Sequence, residues 1–327
     1  MPKWIGRREA IGIGRETTRG VGVAPTYWLN VLSFSFADVP TRALSEASFG
    51  NISGGDQAPL TLIHGEGDME VELGDQGFGL ILYALLGTLS TTGPTDTTAY
   101  THAFSLANTN QHQSLTIHTI DPIGQLAFEL AMINSLTLII TPDSIISYTV
   151  SFMSKGSAGS SGQSASYAAE NKFVGRNLSF KIASDTSGLG AASVTKLKSL
   201  SLTIEKNAET SATLSTLHPE DIVNKLFSIS GEFTLDYEDR TILGYITADS
   251  YKAIRIQIAG TTLVTGAATT YPTFTLDLSK TSFDNFSPDF SLNEIVTQTY
   301  TFNALYDAGG NDNMINACTL INGVSSY

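Results

Sequence analysis

Gly67-Asp68-Met69-Glu70-Val71-Glu72-Leu73-Gly74-Asp75 decides how this chain folds, because the same structural sentence returns 164 residues later as Gly231-Glu232-Phe233-Thr234-Leu235-Asp236-Tyr237-Glu238-Asp239. Both read Gly, acid, apolar, polar, apolar, acid, apolar, then a turn ending in Asp. Each runs on into an apolar stretch at the same offset, Phe78-Gly79-Leu80-Ile81-Leu82-Tyr83 and Ile242-Leu243-Gly244-Tyr245-Ile246. A chain that duplicates a supersecondary unit presents a duplicated surface, which favours a structural role over an enzymatic one.

Strand side chains alternate between faces, so Asp68, Glu70 and Glu72 share one face while Met69, Val71 and Leu73 take the other. In the second copy Glu232 and Asp236 repeat the outer acids, and Thr234 stands in for the middle one. Two readings follow: an ordinary solvent-facing strand, or a carboxylate row facing a shared lumen. Like charges set directly opposite each other are destabilising, so such a row suits wide water better than a protein neighbour.

Working outward, residues 1–26 are rich in Gly and Arg, lack periodicity and predict an extended arm. Residues 27–36 predict a strand in which Leu32, Phe34 and Phe36 alternate with serines. Its counterpart is Leu200-Ser201-Leu202-Thr203-Ile204, at an offset of 168. Residues 37–60 contain Pro40, Gly50, Gly54, Gly55 and Pro59 and predict a long loop of the kind that carries contacts; 207–225 is its partner. Asp75 is the expected N-cap of a first helix, and a second helix should start after Asp239. Residues 100–106 and 114–120 fit a hairpin turning at Asn108-Thr109-Asn110, followed by strands at 126–130 and 136–140. The copies close on Ile145-Ile146-Ser147-Tyr148-Thr149-Val150-Ser151-Phe152 and Ile295-Val296-Thr297-Gln298-Thr299-Tyr300-Thr301-Phe302. Between them, Gly156-Ser157-Ala158-Gly159-Ser160-Ser161-Gly162-Gln163-Ser164 reads as a flexible linker. The expected division is an arm at 1–26, copy one at 27–155, a linker at 156–166, copy two at 167–306 and a tail at 307–327. Each copy reads as an antiparallel β-sandwich with one flanking helix, and its exposed edge strands need a cap or a neighbour.

At 327 residues the chain has room for about two domains of roughly 150 residues. Hydrophobic residues make up 42% and charged ones only 15%, too apolar a mix for a disordered chain. A net charge of −13 argues against an attractive nucleic-acid interface. No Lys or Arg occurs between Arg42 and Lys155, whereas Lys3, Arg7, Arg8, Arg15 and Arg19 crowd the start. A basic arm beside an acidic body suggests head-to-tail attraction between copies; a solvated acidic face with a free terminus is the plainer reading. The single cysteine, Cys318, excludes an internal disulfide and fits a reducing cytoplasm. No signal-peptide pattern precedes it, and the apolar run at 78–86 is too short to span a bilayer, so export and membrane insertion are not expected. Gly12-Ile13-Gly14 lacks the third glycine of a dinucleotide site. The histidines His64, His102, His112, His118 and His218 form no ligand spacing, and no nucleophile elbow occurs. No catalytic, cofactor or metal residues are expected.

Taken together the chain resembles the tail tube (major tail) proteins of long-tailed bacteriophages. The resemblance is carried by Gly14-Arg15-Glu16-Thr17 leading to Ala24-Pro25-Thr26-Tyr27-Trp28-Leu29, then Val31-Leu32-Ser33-Phe34-Ser35-Phe36. It continues through Leu80-Ile81-Leu82-Tyr83-Ala84-Leu85-Leu86-Gly87, Ile133-Asn134-Ser135-Leu136, and Pro219-Glu220-Asp221-Ile222-Val223 before Ser230-Gly231-Glu232-Phe233. It implies a mainly β fold, here two tandem tail-tube-like antiparallel β-sandwiches, each with a flanking α-helix and a long loop. It further implies a virion protein, assembled in the host cytoplasm, whose inner sheets join into a barrel around DNA. Asp68, Glu70, Glu72, Glu232 and Asp236 would line that lumen and let DNA slide without specific binding. Arg7, Arg8, Arg15, Arg19, Arg42, Glu46 and Asp56, on the arm and first loop, would contact the next ring. Because the family pattern is duplicated here, three chains rather than six would close a ring. The implied partners are further copies of the chain and the tape measure, tail terminator and baseplate or tip proteins. The alternative is a surface β-sandwich adhesin or carbohydrate-binding module, which would need export and an exposed aromatic platform.

Overall fold

The computed structural model describes residues 3–309 and 313–327. Residues 1, 2 and 310–312, parts of the expected arm and tail, lie outside the described residues. The first half lays down β1 (Ala10–Arg15), β2 (Tyr27–Trp28), β3 (Val31–Phe34), β4 (Ala37–Arg42) and β5 (Leu60–Glu72) before helix α1 (Phe78–Leu86). It continues with β6 (Gly87–Asp96), β7 (Ala99–Leu106), β8 (Leu115–Ile120), β9 (Gln125–Ile140) and β10 (Ser147–Lys155). A short strand, β11 (Ala158–Ser160), leads into the second half. There β12 (Leu178–Ala183), β13 (Val194–Thr195), β14 (Ser199–Glu205), β15 (Glu209–Ser211), β16 (Asp221–Val223) and β17 (Ser228–Asp236) precede helix α2 (Thr241–Thr247). The closing strands are β18 (Lys252–Ala259), β19 (Thr273–Asp289), β20 (Thr297–Leu305) and β21 (Ile315–Asn322). The chain is mainly β, with antiparallel sheets and, among the described residues, two α-helices.

Each copy is a two-layer sandwich hinged on one long strand. In the first copy the early part of β9 pairs with β8, and its later part pairs with β10. The strand crosses from one layer to the other at Leu130, whose φ of 55° is a local break in the pleat. That break is held by the buried carboxylate of Glu16, which accepts hydrogen bonds from the Leu130 amide (2.7 Å), the Gly20 amide, Ser114 Oγ and Thr116 Oγ1. In the second copy β19 plays the same part, pairing first with β18 and β21 and then with β20, with Asn285 in the left-handed region near its shift of register. Alternate residues such as Met69, Val71, Tyr148, Val150, Phe152, Leu200, Leu202, Phe233 and Phe302 point inward and form one core across both copies.

The two copies are joined edge to edge. The later part of β9 pairs along β14, from Ile140 opposite Leu200 to Ser135 opposite Glu205. A single sheet therefore runs β3–β5–β10–β9–β14–β17–β20–β19, four strands from each copy.

Several local expectations are corrected. Residues 10–15 of the expected arm are a strand docked on β8, because Ile11 and Ile13 bury themselves in the core. Residues 37–42 of the expected loop pair with β5, so the loop proper is shorter. β7 does not turn back onto β8. It pairs with β6 and with β21, and the intervening His112 is drawn under α1, where its ring bonds to the Leu85 and Ala107 carbonyls. Residues 125–140 are one strand, not two. Within the Gly/Ser segment, β11 pairs with β9.

Helix α1 is apolar around almost its whole circumference and is correspondingly buried. Its first turn sits behind Gly77 rather than behind Asp75, whose carboxylate instead accepts from the amide and side chain of Asn171 (3.0 and 2.9 Å). Burial outweighs these bonds and pushes the Asp75 carboxyl above its usual range. The orphan carbonyls at the far end are each satisfied: Ala84 by Lys206 Nζ, Leu85 by His112 and Leu86 by the Ala107 amide. Gly87, at φ 92°, makes the left-handed exit that a side chain would resist.

Candidate functional site

The continuous sheet buries one face and leaves the other to water, and the register fixes what that face carries. One row across it reads Glu72, Ser147, Ile139, Ser201, Glu232, Thr301, Asp284, strand by strand. The next reads Ser33, Glu70, Thr149, Thr137, Thr203, Ser230, Asn303, Ser282. A further row brings Asp68, Ser151, Ser135, Glu205 and Ser228 into line. Asp68, Glu70, Glu72, Glu232 and Asp236, which lie on two strands distant in sequence, thus share one face. Glu205, Asp284 and Asp289 join them there. Reading single strands misses these three, although the alternation in Ser199-Leu200-Ser201-Leu202-Thr203-Ile204-Glu205 marks Glu205 once its partner strand is known.

The face is a carpet of hydroxyls punctuated by carboxylates. Ser33 and Ser147 donate to Glu70, and Thr137 pairs with Thr203 as Thr234 does with Thr299. Cations touch it at its ends: Lys172 lies 3.5 Å from Glu72 and Lys198 3.3 Å from Asp236. Half-exposed pairs of this kind contribute at most about 1 kcal/mol and leave the face acidic.

The basic residues expected at ring contacts divide into two groups. Arg15 stacks over Tyr83 at 5.0 Å and donates to the Tyr327 carbonyl. Arg19 bonds Asp221 (2.7 Å), the carbonyls of His112 and Ile222 and the sulfur of Met132. Both therefore knit the chain to itself. Arg7 and Arg8 lie exposed on a 3-10 turn, with Arg8 over the Trp4 ring. Arg42, Glu46 and Asp56 are exposed on the arm formed by β4, the loop and β5.

No group of three or more His, Cys, Asp or Glu residues among the described residues is placed to hold a metal. His102 and His112 are buried and held below the usual imidazole range by desolvation, and both bond backbone carbonyls as structural members. No helix among the described residues is long and apolar enough to cross a membrane.

Two sandwiches fused through one sheet present a broad, mostly polar face, broken by the half-exposed Ile139, as the most extended surface of the chain. The chain belongs to the phage tail tube protein family, whose sequence model matches residues 6–304. It is accordingly a structural component of the virion tail that assembles with itself into a tube. No curated protein matches it.

Proposed function

We propose that three chains close a ring of pseudo-sixfold symmetry, and that stacked rings form an acidic-lined conduit for DNA. The observation that carries this is the β9–β14 joint, which supplies within one chain the edge-to-edge pairing that a ring needs between chains. Eight strands per chain give about 24 in a trimeric ring, beyond the 16–18 that already leave an aqueous channel. At roughly 4.8 Å per strand such a barrel is about 37 Å across its backbones, and strand tilt widens it. Six chains would open it to about twice that width. Carboxylates facing phosphates across this lumen repel, and the hydroxyl carpet offers neutral partners, so DNA passes without being held.

The exposed tip of the β4–β5 arm, with Arg42, Glu46 and Asp56, is assigned to contacts between successive rings. Tape measure, terminator and baseplate or tip proteins are the expected partners at the tube ends, with assembly in the host cytoplasm. Electron microscopy of purified protein, concentrated and seeded if needed, tests the reading. Hollow tubes whose rings contain three chains are expected. Rings of six chains overturn the trimer, and a protein that never assembles overturns the conduit.

A further inference from the structure

The segment Lys172-Phe173-Val174-Gly175-Arg176 has a twin at the start of the chain, Lys3-Trp4-Ile5-Gly6-Arg7. Both end in a 3-10 turn entered from an extended residue: Gly175–Asn177 behind Val174, and Gly6–Arg8 behind Ile5. Each turn then leads into a strand, β12 or β1. Their surroundings differ completely. Phe173 is buried in the first copy: its amide donates to the Leu73 carbonyl, and its carbonyl accepts from the Ile146 amide, both at 3.0 Å. Val174 bridges Ile145, and Gly175 packs so tightly that a Cβ there would collide with the Thr141 carbonyl oxygen. The twin touches nothing comparable. Trp4 is 46% exposed, Ile5 is 73% exposed, and a Cβ on Gly6 would meet no atom within 4 Å.

The receiving site is duplicated too, and among the described residues no segment is hydrogen-bonded into its second version. In copy one the Leu73 amide donates to the Ile146 carbonyl at 2.8 Å; in copy two the Tyr237 amide donates to the Val296 carbonyl at 2.9 Å. Among the described residues, no hydrogen bond engages the Tyr237 carbonyl or the Val296 amide, the two groups equivalent to those that grip Phe173. Beside them Phe290, stacked edge-on against Tyr237, and Ile295 are 62% and 70% exposed, and Glu238, Asp239, Asp289 and Glu294 outnumber Arg240, which bonds the Tyr237 hydroxyl, so the rim is net acidic. Lys3, Arg7 and Arg8 complement that rim. The adjoining sheet edges match as well. Among the described residues, the outer edge of β3 and the outer edge of the later part of β19 lack the strand that β9 and β14 supply to each other.

We infer that residues 3–8 of one chain dock into the Tyr237–Val296 site of the next, as residues 172–177 dock within the chain. Trp4 takes the place of Phe173, Ile5 faces Ile295, and β3 continues the ladder of β19. The inference rests on the ring-assembly reading and names the joint that closes the ring. It also assigns Gly6 a purpose that the isolated chain lacks: close approach to a neighbour's backbone.

Paired cysteines test it, since bridged residues lie within disulfide reach. Ile5→Cys combined with Ile295→Cys should give covalently linked chains on a non-reducing gel after assembly. Ile5→Cys with Ile145→Cys should give none, because Val174 already fills that place. Cys318 is buried, and burial pushes its thiol up, so it does not compete. Gly6→Val should leave the thermal midpoint of the monomer unchanged and abolish ring formation. Rings that form from Gly6→Val at wild-type yield, together with no disulfide between positions 5 and 295 in the double variant, overturn the joint and leave the tube intact. A wild-type chain that never associates overturns the tube and the joint together.

Discussion

Lys206 is fully buried, and its ammonium donates to the Ala84 carbonyl at 3.0 Å, near the negative end of the α1 dipole. Burial pushes its pKa down to about 7, and the neighbouring Arg19 adds repulsion. A lysine whose folded pKa lies below its unfolded value of about 10.4 makes the unfolded chain the better proton binder between the two. Stability should therefore rise with pH from about 7 upward, by up to about 1.4 kcal/mol per unit from this residue. Lys206→Met keeps the length of the side chain and removes the proton. Urea unfolding at pH 7 and pH 9 should show a clear gain for the parent protein and a smaller one for the variant; equal gains would remove Lys206 from the account. Glu16 represents the opposite solution at the same scale, a buried carboxylate whose four donors satisfy it where it stands.

Among the elements, the β6–β7 hairpin departs most from the repeat. It follows α1 in the first copy, while α2 in the second leads to β18 after a short turn. The hairpin lies along β21, and its tip is clasped from the second copy. Asp96 accepts from the backbone amides of Ala268, Thr269 and Thr270 and from two threonine hydroxyls. These bonds hold its carboxyl well below the usual carboxylate range. A depressed carboxylate stabilises above its unfolded pKa and loses that contribution as pH falls, so the clasp should loosen only below about pH 4. Asp96→Ala should speed amide exchange in the 88–96 strand at neutral pH while leaving the β9–β14 ladder protected; unchanged exchange would deny the clasp a role. The hairpin also marks where sequence reasoning stops. The strand character of 99–106 is legible from alternation, but its partner is not, because β21 sits more than 200 residues away. Likewise the acid–apolar rhythm of 67–75 and 231–239 reveals both the repeat and the acidic face. The β9–β14 register, which sets those acids on one sheet, depends on contacts that no local pattern encodes. The twin at 3–7 and 172–176 lies at an offset of 169, one residue from the 168 that aligns the first strands, but five residues without a strand rhythm carry little weight until the two 3-10 turns are seen.

At the scale of the whole molecule, the polar face and the net charge of −13 act together. Replacing Asp68, Glu232 and Asp284 with lysine should leave the fold and the tube intact, since all three stand on the water-facing side of the sheet. Assembled tubes of this variant should retain duplex DNA in a sedimentation assay, with retention fading as salt rises; parent tubes should retain none. Equal retention by both would separate the acidic face from DNA passage. The β7–β21 pairing has a consequence for the growing chain. Phe104 lies opposite Cys318, so the outer edge of β7 has no partner until a further 214 residues have left the ribosome. Throughout that interval the nascent first half displays an open strand edge, the kind of surface on which chains pair wrongly. On a polysome crowded with copies of the same message, the arrival of β21 is what ends that adhesive period.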